Sequence, residues 1–279
     1  MSLLLVVAMP FGTSVASGPW KRLEDGLELG IFHSNTPALF GSSEISILRV
    51  DPRLWDIKLY TIQELGYDTS ITAKEWSARL NLTAVINAGM YLHDVTTHVG
   101  YLQAGDTIQS NHINRYQSVA GFSPKNEALP PFRIFDLDED ETTIAKITAE
   151  YSYVVQNLRL IKRPGINRWT QQDQRWNEAA LGEDKQGRAL LIYSRGRLSG
   201  HDFNELLLSL PIDLVSAQHL EGGKEAQLYI NHAQHTEEIA NSFDNPFLAQ
   251  SSGLKAWPIP NIIGVSKKAA ADNNRKSSD

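Results

Sequence analysis

Apolar and polar residues alternate from Ile45 to Val50, the pattern of a strand with one buried face, and Asp51-Pro52 ends the run. Asp56 to Ile62 alternates in the same way and is expected to be its hairpin partner. The period then changes. Thr72-Ala73-Lys74-Glu75 is a capping box, in which the threonine oxygen can accept from the amide three residues on while the glutamate reaches back. A helix should therefore run to about Leu80, followed by an apolar strand, Ala84-Val85-Ile86, that ends in Asn87-Ala88-Gly89. Tyr151 to Ile161 reads as one long strand, and Ala189 to Tyr193, apolar throughout, as a central strand buried on both faces. Phe203, Leu206, Leu207 and Leu210 form one stripe of a helix from about His201 to Leu210, which Pro211 ends. A further strand leads to Glu221, so a strand, helix, strand unit closes this part of the chain. Strands dominate and helices are few. The expected class is α+β, with mixed sheets, a few helices packed outside, and a single domain of catalytic type.

The most distinctive stretch is Ser216 to Asn231. Ala217 and Leu220 lead to one carboxylate, Glu221, at a Gly222-Gly223 turn, and Leu228-Tyr229-Ile230 leaves it as a second short strand. Paired glycines allow positive φ and let a ligand approach the backbone, because no Cβ intervenes.

Three segments in order, Ala84 to Tyr91, Leu220-Glu221-Gly222-Gly223, and Pro258 to Val265, resemble the phosphodiester glycosidase family. That family carries an Asn-Ala-Gly strand end, a downstream Leu-Asp-Gly-Gly-Gly-Ser turn and a closing Asn-x-x-Gly-Val strand. The likeness covers roughly residues 20 to 266 and defines a phosphodiester glycosidase-like domain over 18–266. Glu221 stands where the family has aspartate, and Lys224-Glu225 where it has Gly-Ser. Glu178 falls on the family's arginine position, with Arg175 as the nearest substitute, which marks a divergent, bacterial-type branch.

Composition narrows the chemistry. Lys and Arg number 26 against 32 Asp and Glu, a net charge of −6 with no dense basic run, so nucleic acid is not an expected partner. The absence of cysteine excludes disulfides, thiolate metal sites and a Cys nucleophile. Leu3 to Met9 is a short apolar run followed by Ala16 and Ser17, which reads as a signal peptide over 1–17 and implies a periplasmic or secreted protein. Elsewhere no apolar run approaches the ~20 residues of a membrane span. The polar tail over 267–279 is expected to be disordered. Asp136 to Glu141 fails the calcium-loop pattern, since Glu141 stands where the loop needs glycine, and His232-Ala233-Gln234-His235 matches no zinc motif. No metal and no cofactor are expected.

The resemblance implies cleavage of a sugar 1-phosphodiester, which needs a carboxylate at an oxocarbenium-like centre and cationic or amide donors for the phosphate oxygens. Glu221 fits the first role, as acid/base or nucleophile, with Glu178 or Glu225 as a second carboxylate. Asn87, the amides of Gly89, Gly222 and Gly223, and Arg175 and Arg195 fit the second, and His98, in the polar stretch 92–117, fits a proton donor. Trp169, among glutamines, suits stacking on a pyranose. The expected partner is a carbohydrate or sugar-phosphate of a glycan or envelope. The competing expectation is a non-catalytic module on the same fold that binds envelope polysaccharide or peptidoglycan.

Overall fold

A computed structural model describes residues 19–34, 43–240 and 256–269. The expected leader over 1–17 lies outside these residues, as does most of the expected tail; Lys267, where that tail was to begin, is the last residue of a strand. The described residues hold 18 strands and three helices in three sheets, richer in sheet than an α+β chain is expected to be.

The first sheet has eight strands. They are, in spatial order, β1 (Trp20–Glu24), β2 (Leu27–His33), β3 (Glu44–Val50), β14 (Ala189–Leu198), β13 (Trp176–Asp184), β15 (Leu214–Gly222), β11 (Arg159–Lys162) and β12 (Ile166–Asn167). The second runs β7 (Thr107–Ser110), β6 (Leu102–Ala104), β10 (Tyr151–Asn157), β8 (Ser118–Pro124), β9 (Phe132–Asp136). The third runs β17 (His235–Ala240), β16 (Gln227–His232), β5 (Ala84–Asn87), β18 (Asn261–Lys267), β4 (Trp55–Thr61). Neighbours pair antiparallel throughout, for instance β13 with β14 and with β15.

Leu48 and Leu191 from the first sheet, Phe122 and Val155 from the second, and Ile86 and Ile263 from the third share one buried core, so the inner faces of all three sheets close on one another. The helix α1 (Ala73–Leu80) begins with both reciprocal bonds of its capping box, Glu75 N to Thr72 Oγ1 and Thr72 N to Glu75 Oε2. A second helix, α2 (Ile144–Glu150), was not signalled by a long apolar stripe. α3 (Gly200–Ser209), capped by Ser199, lays Phe203 and Leu207 on the outer face of the first sheet against Ile192 and Ile161.

Two expectations are corrected. β4 is not the hairpin partner of β3: β3 lies between β2 and β14, whereas β4 pairs β18 in the third sheet. Alternation reports which face is buried but not against which strand. The long strand from Tyr151 breaks at Leu158, so that β10 stays in the second sheet and β11 crosses to the first. The strands before and after the Gly-Gly turn lie in different sheets. β15 belongs to the first sheet and β16 to the third, and the turn carries the chain from one to the other.

Near its end β15 contains a bulge. Ala180 faces His219 and Ala179 faces Glu221, leaving Leu220 as the extra residue. A bulge breaks the period-two alternation and re-aims the side chain that follows. His219 therefore shares the α3 side with Ala180, while Glu221 lies opposite Ala179, on the side that looks toward the other sheets.

Candidate active site

The turn that carries Glu221 is pinned from both sheets. At the end of β5, Asn87 Oδ1 accepts from the amide of Gln227 at 2.7 Å and its Nδ2 donates to the carbonyl of Glu225 at 3.0 Å. From the first sheet, Asn177 Nδ2 donates to the carbonyl of Gly223 at 3.0 Å and to the hydroxyl of Tyr193 at 2.9 Å. Gly223 has φ +70°, the left-handed region, and a Cβ on Gly222 would stand 2.8 Å from the indole of Trp176. These glycines thus have local reasons besides access for a ligand. Asn87 is buried, and its amide is spent on holding the turn.

Glu221 sits at this junction, half-buried, with its own Gly222 amide donating to Oε1 at 3.1 Å. Burial pushes its carboxyl up to about 7, against the opposing pull of His219 and of the Gly222 amide; the charges of Glu225 and Glu178 push the same way as burial. Beside it lies a buried ion pair. His219 Nδ1 donates to Glu178 Oε1, and the indole N–H of Trp176 donates to Glu178 Oε2. Burial opposes the imidazolium, but the charge and hydrogen bond of Glu178, helped by Glu221, hold the His219 proton above its ordinary range. Both Glu178 oxygens are engaged, so of the two expected second carboxylates only Glu225 keeps an unspent one near the turn. Tyr91 lies within reach of these charges, its hydroxyl pushed up by burial and then by Glu225 and Glu221.

Gly89, His98 and Asn157 meet behind Asn87. A Cβ on Gly89 would fall 2.2 Å from Asn157 Oδ1 and 2.4 Å from His98 Cε1, so only glycine fits. His98 is fully buried and its Nε2 donates to the carbonyl of Gln156 at 2.8 Å; burial pushes its pKa down to about 4. At neutral pH it is an uncharged imidazole with no proton to spare, because the one it carries is bound to a carbonyl.

The remaining expected residues are placed elsewhere. Trp169 packs over Gly200 at the start of α3 and donates its indole N–H to the carbonyl of Arg159 at 2.8 Å. Arg175 lies 3.5 Å from Asp202 on the same helix. Arg195 bonds Glu44 and Glu237, at 2.9 and 3.0 Å. His232 and His235 pair with Glu24 and Glu237, and among the described residues no three His, Cys, Asp or Glu side chains gather as a metal site.

Three residues at the junction carried no expected role. His219 is a buried polar residue in β15, and its place two before Glu221 is the sequence signal that points to it. Trp257 and Lys224, 33 residues apart, meet with Lys224 Nζ 3.7 Å above the indole centre; nothing local links them.

The profile of the phosphodiester glycosidase family matches residues 80–266, which hold β5, the Glu221 turn and β18. Among solved structures, the zebrafish N-acetylglucosamine-1-phosphodiester alpha-N-acetylglucosaminidase catalytic domain, auto-inhibited by its pro-peptide, has a similar fold. It superposes with a TM-score of 0.62 at 12% identity, over 91% of this chain and 85% of that one. A hypothetical protein from Synechocystis superposes with a TM-score of 0.59 at 12% identity, over 91% of this chain and 64% of that one. No curated protein sequence matches the chain.

Proposed function

The chain belongs to the phosphodiester glycosidase family, and from that premise we propose that it hydrolyses a sugar 1-phosphodiester at the Glu221 junction. The observation that carries the proposal is the Glu221 carboxyl itself: it lies where the first and third sheets meet, partly sealed from water, with a proton affinity near neutrality. A base poised near the working pH is what general catalysis requires. Glu221 takes a proton from water as that water bonds to the anomeric carbon, and the bond from that carbon to the phosphate oxygen breaks with its electron pair going to the phosphate. The buried His219–Glu178 pair beside it limits how much negative charge the site holds while Glu221 is ionised.

The substrate is proposed to be a glycan or envelope component, met outside the cytoplasm after removal of residues 1–17. N-terminal sequencing of protein from its host tests export, and an intact Met1 on cytoplasmic protein would contradict it. For the reaction, purified protein is incubated with nucleotide-diphosphate sugars and sugar-phosphate-alkyl compounds, and release of reducing sugar is followed. A second reading, a binding module for envelope polysaccharide, is favoured by one feature: Glu178, at the family's arginine position, is locked into a buried pair. Glycan binding without turnover of any phosphodiester in the panel would select that reading.

A further inference from the structure

We propose that Lys224, held on the face of Trp257, is the residue that binds the phosphodiester of the substrate, and that Trp257 is its positioning residue. The proposal rests on the hydrolase reading for the nature of the ligand, and on separate observations for the site. A phosphodiester brought to Glu221 adds an anion to a junction that already holds Glu178, Glu221 and Glu225. It requires a cation with unspent donors. Of the cations expected in this role, Arg195 is occupied by Glu44 and Glu237, and Arg175 lies 3.5 Å from Asp202 of α3, away from the Glu221 turn.

Lys224 differs from both. It lies on the turn, three residues after Glu221, with its side chain half exposed. Its ammonium sits 3.7 Å above the centre of the Trp257 ring. Its nearest carboxylate oxygen, Glu225 Oε1, is also 3.7 Å away, too far for a hydrogen bond. An indole face attracts the charge of an ammonium through the ring quadrupole without consuming its N–H groups as a carboxylate would. Among the described residues Lys224 is therefore fixed in place with its donors still available, the state a phosphate-binding lysine needs before its ligand arrives.

Trp257 is suited to hold it. The residue is 39% exposed, but its backbone is anchored, since Gln227 Nε2 donates to the Trp257 carbonyl while the Gln227 amide bonds Asn87. The same network that sets the Glu221 turn thus sets the position of the indole. Tyr91, whose hydroxyl feels Glu221 and Glu225, also lies against Trp257.

The test measures binding and turnover of UDP-N-acetylglucosamine, UDP-glucose and UDP-galactose, with the matching methyl glycosides as neutral controls. Lys224→Gln is expected to weaken binding of the phosphodiester, or raise its KM, roughly 10-fold or more, the usual effect of a charge-assisted hydrogen bond, with little change for the neutral sugar. Trp257→Phe should keep part of the effect and Trp257→Leu lose it, since the attraction weakens with the ring and ends without one. The neutral sugar and the melting curve control for misfolding. If Lys224→Gln binds and turns over the diester as wild type does, the lysine assignment is overturned while the hydrolase stands. If wild type binds the diester through Lys224 but turns none over, the hydrolase falls while the binding site stands. If wild type binds none of the three, or if Trp257→Leu matches Trp257→Phe, the site as proposed is overturned.

Discussion

Nδ1 of His219 donates to Oε1 of Glu178 across adjacent strands, and both side chains are buried. The pair is a local device: a cation is kept beside Glu221 by an anion that is itself fixed by the indole of Trp176. Glu178→Gln keeps the shape and removes the counter-charge, so His219 is expected to titrate at lower pH, visible in its imidazole carbon shifts. Breaking a buried pair from one side should cost about 3 kcal/mol. Because Glu178 raises the folded pKa of His219, its contribution is fully present below pH 6.5 and is lost as pH rises through the folded value. Denaturation of the variant should accordingly show its largest deficit in acid.

Glu221→Gln should lower turnover of a sugar 1-phosphodiester by at least about 10²-fold, the contribution of a positioned acid or base. Its effect on stability has the opposite sign. The folded carboxyl titrates near 7 against 4.5 unperturbed, so between these values the folded state binds more protons than the unfolded one and wild-type stability falls as pH rises. The glutamine variant should match wild type below about pH 4.5 and exceed it at pH 8 by about 1–3 kcal/mol, the full shift discounted for partial exposure. Urea unfolding at both pH values measures this.

His98 predicts an acid limit. Its folded pKa of about 4 lies below the unfolded 6.5, so its contribution is present above 6.5 and is lost as pH falls toward 4. At pH 4.5 wild type should have lost about 2–3 kcal/mol on this account. His98→Gln, compared by urea unfolding at pH 7 and 4.5, should show a smaller acid loss, and the wild-type imidazole should stay neutral by NMR down to about pH 4.

Gly89→Ala should be severely destabilising, by about 3 kcal/mol or more, because the new Cβ meets Asn157 and His98 in a fully packed region at φ +151°. A lowered melting temperature checks it.

What the sequence made legible was local. The capping box at Thr72–Glu75 forms both of its bonds, α3 spans Gly200–Ser209 close to the expected His201–Leu210, and Ala189 to Tyr193 is buried throughout. The family was legible too, through Asn87, Glu221-Gly222-Gly223 and the β18 strand, which all fall within the matched residues. Partnership was not. Nothing in the alternation of Asp56 to Ile62 says that β4 joins β18 rather than β3, because pairing is decided by segments two hundred residues away. The same limit applied to side chains: Trp169 and Arg175 have the right chemistry for a sugar phosphate, but the chain folds them onto α3, while Lys224 and Trp257 come together from separate loops.

The bulge at Leu220 makes the facing of the acid a matter of parity. Adding one residue to β13 opposite Leu220 would absorb the bulge into regular pairing and turn Glu221 to the side of α3, into the layer that holds His219, although every residue of the site would still be present. Removing Leu220 would also end the bulge, but would leave Glu221 in plain alternation after His219 and therefore on its present side. The facing of the acid is therefore set by the count of residues in β15 against β13, and not by the identity of the residues that deliver it.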